Sequence, residues 1–517
     1  LYIVQRMNAL AGGFTLLAVA AYVHGRNRLE TQRRGWGWIA TSLLVFTPLA
    51  AFSKENGALA PLLMWVVEYF IFQFQSASPV TAMRLKRLFV ATLIVPATIA
   101  AFFIATHPQW LFAPYQFRNF DLYQRVLTES RVVWKYVGWI LAPTPGRLGL
   151  AHGDIPISQS LLHPLTTIPA IAGWLAAIAL AFGLRRRAPL LGFAIIWFLA
   201  GQLLESTIFG LEIAFEHRTY IPMIGILAAI AYALNGIPSR QFLVARRTLL
   251  LGLIAVFTLC TAVTASEWSD NRIMALYQVR HHPNAPRANS QAAAVFASLM
   301  TQQGADKDYD YDQATYYFKR TAELDPTDPT SVLSLVLLRG QIGAKFDPEF
   351  VDWVKKRLQH RPIHPRIIYG FASIVRWVKD GQADVPSDVL IGLFETALTN
   401  TSIPAHYRAA LYSLMSQYYA NTLEDWQTAI QLSAAAISED PDAAVFHISM
   451  ARLALALNRL DVVRSEVMTA RRLDHLGRYH AQIENILNKV HDLESKPPGA
   501  LEHGSRKKVL PVPTDGS

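Results

Sequence analysis

Eight apolar runs, each near the length that crosses a bilayer, occupy the first half of this chain and limit what it can fold into. They fall at about 8–24, 36–53, 57–75, 88–105, 165–184, 189–208, 219–235 and 248–266. A spanning helix needs about 20 predominantly apolar residues. Pro48, Pro61, Pro96 and Pro169 inside these runs are better tolerated in membrane helices than in soluble ones. Charge separates the two halves. Residues 1–266 carry 21 lysines and arginines against nine acidic residues, whereas the rest of the chain carries 27 against 29. The formal net charge of +10 therefore belongs to the apolar half, and nucleic-acid binding is a poor explanation for it. The single cysteine, Cys260, permits no intrachain disulfide and no cysteine-based metal site.

Basic clusters set the expected orientation. Arg26, Arg28, Arg33 and Arg34 follow the first run, and Arg84, Lys86 and Arg87 follow the third. Arg185, Arg186 and Arg187 follow the fifth, and Arg240, Arg246 and Arg247 the seventh. Every second connection is basic and is expected in the cytoplasm. The opposite side then receives SKENG at 53–57, the stretch 107–164, the segment 209–218 and everything after the eighth run. Residues 123–142 have an apolar face but only a short uncharged core. A crossing there would invert the later charge pattern, so this segment is expected as an interfacial or re-entrant helix. The sequence starts at Leu1, in mid-pattern, and is read as lacking its true N-terminus.

The second half repeats a frame. Residues 313–326, QATYYFKRTAELDP, set Ala314, Phe318, Ala322 and Leu324 ahead of Pro326. Residues 428–441 repeat it with Ala429, Ala436 and Pro441, and a third copy from Val463 keeps Ala470, with His475 where the proline would fall. Small residues at these offsets let paired helices approach, and the proline stops the second helix. The pattern resembles tetratricopeptide repeats, with Thr321 where an alanine is usual. The stretch 345–400 is helix-like in a weaker register and is expected to hold degenerate copies. The whole chain is thus expected to be all-α. It reads as a polytopic membrane domain over 1–266, a repeat α-solenoid over 267–493 and a disordered, Pro- and Gly-rich tail over 494–517. Stacked helix pairs bind peptide or protein segments on a concave face, or serve as a structural cap.

Four groups of ionisable residues are expected on the non-cytoplasmic side. They are Lys54, Glu55 and Asn56; Arg125, Glu129 and Arg131; His152 and Asp154; and Glu205, Glu212, Glu216, His217 and Arg218. Such residues are costly near lipid unless paired or in a wet cavity. Cations can clamp a phosphate, and a carboxylate can accept a hydroxyl proton. Against a site stand interfacial anchoring for Glu216, His217 and Arg218, a local Lys54–Glu55 ion pair, and an ordinary loop position for His152. Glu68, inside WVVEYF, reads as a buried partner for an Arg or Tyr of a neighbouring helix. Trp110, Tyr115, Trp134 and Trp139 fit an interfacial aromatic belt.

The succession QRMNALAGGFTLL, FSKENGALAPLLMWVVEY, ESTIFGLEIAFEHRTYIPMIG and then repeats resembles TMTC-type membrane glycosyltransferases and their bacterial relatives. The resemblance covers nearly the whole chain and is most specific at SKENGA (53–58) and FEHRTYIP (215–222). It implies a GT-C membrane fold in a bacterial inner membrane, with the repeats in the periplasm. The implied reaction moves a sugar from a polyprenyl-phosphate donor to a protein hydroxyl, the repeats presenting the acceptor. Lys54 and Glu55 match the family's short link near the donor, and Glu216 and Arg218 its pair ahead of the Tyr-x-Pro helix. Arg218, supported by Lys54 or His217, would hold the donor phosphate, while Glu55 and Glu216 orient those cations or the sugar. Arg131, His152 and Asp154 are further substrate-binding candidates. The family's general base lies in its first outer loop, which is expected upstream of Leu1. No cofactor beyond the lipid-phosphate sugar and no metal ligand set is expected, and the need for a divalent ion is open. The implied partners are the bilayer, the lipid-linked sugar and an acceptor protein, with no nucleic acid. A lipid-linked glycan polymerase or ligase of the O-antigen ligase kind, and a non-catalytic membrane-anchored scaffold, are the alternatives.

Overall fold

The structure is a computed structural model and describes residues 6–32, 34–149, 151–235, 243–300, 302 and 306–495. Arg33, Arg240 and the tail from 496 onward, all invoked above, lie outside the described residues. Among the described residues every regular element is helical. The chain divides into two compact units, Leu1–Ala288 and Asn289–Ser517.

The first unit contains α1 (Arg6–Gln32), α2 (Trp36–Thr41), α3 (Thr47–Ser53), α4 (Ala60–Val67), α5 (Pro79–Phe89), α6 (Val95–Thr106), α7 (Pro108–Phe112), α8 (Leu122–Leu141), α9 (Thr167–Gly183), α10 (Pro189–Gln202), α11 (Met223–Asn235), α12 (Leu243–Glu267) and α13 (Asn271–His281). Wide π-type turns at Ser42–Phe46 and Val90–Ile94 join α2 to α3 and α5 to α6 into continuous rods. Among the described residues four helices are long and apolar enough to cross a bilayer: Arg6–Thr31, Trp36–Ser53, Pro79–Thr106 and Val244–Glu267. The others expected are shorter, with Thr167–Gly183, Pro189–Gln202 and Met223–Leu234 among them. The run 189–208 is cut at Gln202, because the carbonyls of Glu205 and Thr207 turn to the Arg125 guanidinium instead of continuing the helical ladder. The second basic cluster also moves. α5 opens on Pro79, whose fixed φ suits a first helical position, so Arg84, Lys86 and Arg87 lie within a helix and not in a connection.

Glu68 has the partners its position demands. Its carboxylate accepts from Tyr22 Oη at 2.7 Å and from Arg26 Nε at 3.0 Å, and Arg26 also reaches Glu30 at 2.5 Å and the Gln75 carbonyl. Arg26 is 1% exposed and Glu68 0%. Arg26, expected as a topological marker in a connection, is therefore an internal cation of the α1–α4 pair. α3 and the SKENG link pack equally closely: a Cβ on Gly57 would lie 2.1 Å from the Ala50 carbonyl carbon, so only glycine fits there.

The second unit is a succession of helix pairs. After α14 (Pro286–Leu299) it contains α15 (Lys307–Leu324), α16 (Thr330–Ile342), α17 (Pro348–Leu358), α18 (Ile367–Lys379), α19 (Ser387–Leu398), α20 (Ala405–Tyr418), α21 (Trp426–Glu439), α22 (Ala444–Ala456), α23 (Leu460–Leu473) and α24 (His480–Glu494). Ala314, Phe318, Ala322, Ala429, Ala436 and Ala470 are all buried. α15, α21 and α23 each stop two positions before Pro326, Pro441 or His475, so the three copies share one helical frame. Thr321 is accommodated because its hydroxyl donates to the Tyr317 carbonyl at 2.9 Å. The weaker stretch 345–400 holds α17, α18 and α19, with Phe371 stacked on Phe394 at 4.2 Å between ring centres.

Removing one member of a buried ion pair strands the other charge. Glu68→Ala should therefore lower stability in detergent by about 3–5 kcal/mol, whereas the double variant R26M/E68L should recover most of the loss. Thermal midpoints of the purified protein check this, and an unchanged midpoint for Glu68→Ala would refute the buried pairing.

Candidate functional site

α10 ends at Gln202 and the chain then runs without regular structure to Phe215 before a 3₁₀ turn, Glu216–Thr219. This segment needs hydrogen-bond donors for its carbonyls. Arg125, on the inner face of α8, supplies them to Glu205 (2.8 Å), Thr207 (3.1 Å) and Leu211 (2.6 Å). Arg218 donates to Glu212 (2.7 Å) and Ile213 (3.1 Å), and Phe215 N–H donates to Tyr136 Oη at 3.2 Å. α8 is capped by Asp121 and Gln124, each side chain bonded to the other's backbone N–H, which fixes where its polar face begins.

Between the two guanidinium groups lies Glu129. Arg125 Nη2 stands 3.0 Å and Arg218 Nη1 3.9 Å from its Oε1, yet both aim their N–H bonds at backbone carbonyls, and neither Glu129 oxygen receives a hydrogen bond. Burial outweighs the two cations and pushes the Glu129 carboxyl up to about 7. Beside this group, Lys54 Nζ pairs with Glu205 Oε1 at 2.7 Å and donates to Asn8 Oδ1 at 3.1 Å. Asn8 in turn donates to the His217 carbonyl at 2.6 Å. Asn8, Asn56, Leu59, His217 and Arg218 are among the residues lining a narrow pocket here. Asn56 Oδ1 and Arg218 Nε are buried without a hydrogen-bond partner. Burial, helped by the positive charges of Lys54 and Arg218, holds the His217 imidazole down to about 4. It is neutral at pH 7 and adds no positive charge for a phosphate, contrary to the role set for it above.

A second group lies on the other side of the same turn. Glu216 accepts from the Gly149 N–H and faces His152 Nε2 at 3.2 Å. His152 is tilted against Trp139, and its ring meets His282 edge-on at 5.3 Å. His282 Nδ1 lies 3.0 Å from Asp154 Oδ2. Burial opposes the charge on Asp154, but the His282 hydrogen bond outweighs it and holds the carboxyl below its ordinary value.

The expected residues therefore form two clusters. Lys54, His217 and Arg218 meet in one, Glu216, His152 and Asp154 in the other. Lys54 pairs with Glu205 and not with Glu55, which opens a 3₁₀ turn and is exposed. Arg131 faces neither cluster: it bonds Thr166 Oγ1, the Pro156 carbonyl and Ser158 Oγ, and fastens the loop before α9 to α8. Trp134, expected in an interfacial belt, stacks on Trp174 at 4.1 Å and packs between α8 and α9. Sequence reasoning missed Asn8 and His282. Asn8 lies in an apolar run, and the only signal for His282 was the pair His281–His282 before Pro283. Among the described residues no group of three or more His, Cys, Asp or Glu could hold a metal ion.

No family model and no curated protein sequence matches the chain. Among solved structures it is similar to yeast Tom70, at 14% identity and a TM-score of 0.30, over 88% of this chain and 86% of that one. It is also similar to the TPR2AB domain of yeast Sti1 in its pHSP90 complex, at 12% identity and a TM-score of 0.22, over 62% of this chain and 99% of that one. The P58(IPK) TPR domain matches at 12% identity and a TM-score of 0.21, over 70% of this chain and 99% of that one. At these scores the likeness adds nothing to the helix pairs and repeat positions themselves.

The imidazole of His217 gives a pH signature. Unfolded, it binds a proton near its ordinary 6.5; folded, it does so only near 4. Protons then favour the unfolded chain through this window, so stability falls as pH drops from about 6.5 toward 4. His217→Gln should remove that part of the slope, seen as a flatter dependence of the melting temperature on pH than in the wild type.

Proposed function

We propose that this chain is a polytopic membrane glycosyltransferase of the GT-C type, acting at the periplasmic face of a bacterial inner membrane. It moves a sugar from a polyprenyl-phosphate donor to a protein hydroxyl, and its helix-pair repeats present the acceptor. The observation that carries this reading is one buried polar cluster in an otherwise apolar helical unit. Asn8, Asn56, His217 and Arg218 come from separate stretches of the chain and line a narrow pocket with an unused donor and an unused acceptor, and the Lys54–Glu205 pair is tied to it through Asn8. A cation pointed at a leaving phosphate stabilises charge where it develops. Lys54 is the residue suited to that task, since it can exchange Glu205 for a phosphate oxygen without disturbing the backbone. Arg218 is suited less, because both its Nη atoms hold the carbonyls of Glu212 and Ile213. Glu55, exposed beside Lys54, is free to meet a sugar hydroxyl.

The occupied state of Arg218 also favours a second reading, in which the charges are structural and the membrane unit anchors a repeat scaffold. Lys54 separates the two. Lys54→Gln keeps a hydrogen bond to Glu205 but removes the charge, and should lower sugar transfer at least about 100-fold, the scale of losing one such electrostatic contact. The amount of protein in the membrane should stay within about twofold. Intact-mass measurement of periplasmic proteins from a deletion strain carrying the variant reads the transfer. Wild-type transfer by Lys54→Gln would favour the scaffold, and mass shifts on glycans alone would favour a lipid-linked polymerase or ligase.

A further inference from the structure

Two of the spanning-length rods of the first unit leave an apolar gap between them. Trp36, Leu43 and Leu44 of the α2–α3 rod line one wall, and Leu88, Ala91 and Pro96 of the α5–α6 rod line the other. The cavity measures about 480 Å³, and Leu44 is 76% exposed on it. Each wall runs eight residues, from 36 to 44 and from 88 to 96, or about 12 Å of helix. One leaflet of a bilayer offers about 15 Å of hydrocarbon, half of the full core. Both walls also contain a π-type turn, Ser42–Phe46 and Val90–Ile94, a departure from α geometry that recurs at functional sites. In hydrocarbon a gap of this kind forfeits dispersion contacts unless a chain occupies it. Charge then decides which chain. Arg34 precedes Trp36 by two residues, and Arg84 precedes Leu88 by one helical turn on the same face of α5. Arg84 and Arg87 are exposed and form no ion pair among the described residues, while Glu30 at this end is taken by Arg26. Basic groups beside a cleft between spanning helices on the cytoplasmic side bind anionic lipid headgroups.

We propose that the groove between the α2–α3 and α5–α6 rods seats an acyl chain of an anionic glycerophospholipid of the cytoplasmic leaflet, its phosphate held by Arg84 and Arg87. This rests on the membrane placement of the first unit and stands apart from the sugar-transfer chemistry. The planar guanidinium fork suits a phosphate, and the acyl chain supplies the contacts that the two walls lack. The polyprenyl donor does not fit this seat. Trp36 and Ser53 are 17 residues apart, about 26 Å of helix, and Ser53 adjoins Lys54. A phosphate on Arg84 and Arg87 is therefore at the opposite end of the rods from the one that Lys54 is placed to meet.

The test is native mass spectrometry of the purified full-length protein in detergent. It is titrated with phosphatidylglycerol, with phosphatidylcholine of the same acyl chains, and with undecaprenyl phosphate. Phosphatidylglycerol should bind at least about tenfold more tightly than phosphatidylcholine. R84Q/R87Q should weaken phosphatidylglycerol about 30-fold, the effect of two cations near a charged membrane surface, and leave phosphatidylcholine within about twofold. Ala91→Trp fills the groove with both arginines in place, and should weaken phosphatidylglycerol at least about tenfold. Leu44→Trp, on the opposite wall, is the second such variant, and unchanged thermal midpoints show that each protein is folded. Equal binding of the two phospholipids by the wild type overturns the seat, as does R84Q/R87Q within about twofold of it. Unchanged binding in both tryptophan variants leaves the lipid on surface charge alone and overturns the groove. Tighter binding of undecaprenyl phosphate than of phosphatidylglycerol gives the groove to the donor chain and overturns the proposal. Protein recovered in the soluble fraction of lysed cells overturns the membrane placement and the lipid seat together.

Discussion

The guanidinium of Arg125 is 0% exposed and donates to the carbonyls of Glu205, Thr207, Leu211 and Glu212. Without it, the irregular segment between Gln202 and Phe215 would carry unmet carbonyls into an apolar helical unit. Unmet backbone groups are the one thing such an environment does not tolerate. The rest of the polar interior follows from this contact. With the segment held, Glu205 is placed against Lys54, and Arg218 secures the Glu212 and Ile213 carbonyls from the other end. Glu129 then balances two cations that already have other partners, which is why it is paired in charge but lacks hydrogen bonds.

The turn at FEHR divides what the sequence lists as one motif. A 3₁₀ turn has about three residues per turn, so neighbouring side chains leave it about 120° apart. Glu216 points to His152, His217 lines the pocket, and Arg218 enters the interior toward Glu129. Three adjacent ionisable residues thus face three environments. Their adjacency in the sequence says nothing about which neighbour each will meet, because the turn aims each side chain in its own direction.

What could be read from the chain is what depends on period and local chemistry. The repeat positions Ala314, Ala429 and Ala470 are buried because helix pairs approach at small residues, a rule that works within one short stretch. Glu68 was legible because a carboxylate inside an apolar run has few tolerable fates, and Tyr22 and Arg26 supply one of them. The pairing of Lys54 with Glu205, not with Glu55, was not legible. It depends on a contact between residues 151 positions apart, and only the packed structure sets that distance. The break in the 189–208 run was hidden for the same reason, since the donor that captures its carbonyls lies on α8.

The charge balance of the inner cluster turns on Glu129. Lys54, Arg125 and Arg218 stand against Glu205 and Glu129, and His217 is neutral at pH 7. Burial pushes the Glu129 carboxyl up to about 7, so the counter-charge it offers Arg125 and Arg218 falls as pH drops through neutrality. The two guanidinium groups do not depend on that charge for their positions, because the carbonyls of Glu205, Thr207, Leu211, Glu212 and Ile213 already hold them. The irregular segment can therefore keep its shape while the charge between the two arginines changes.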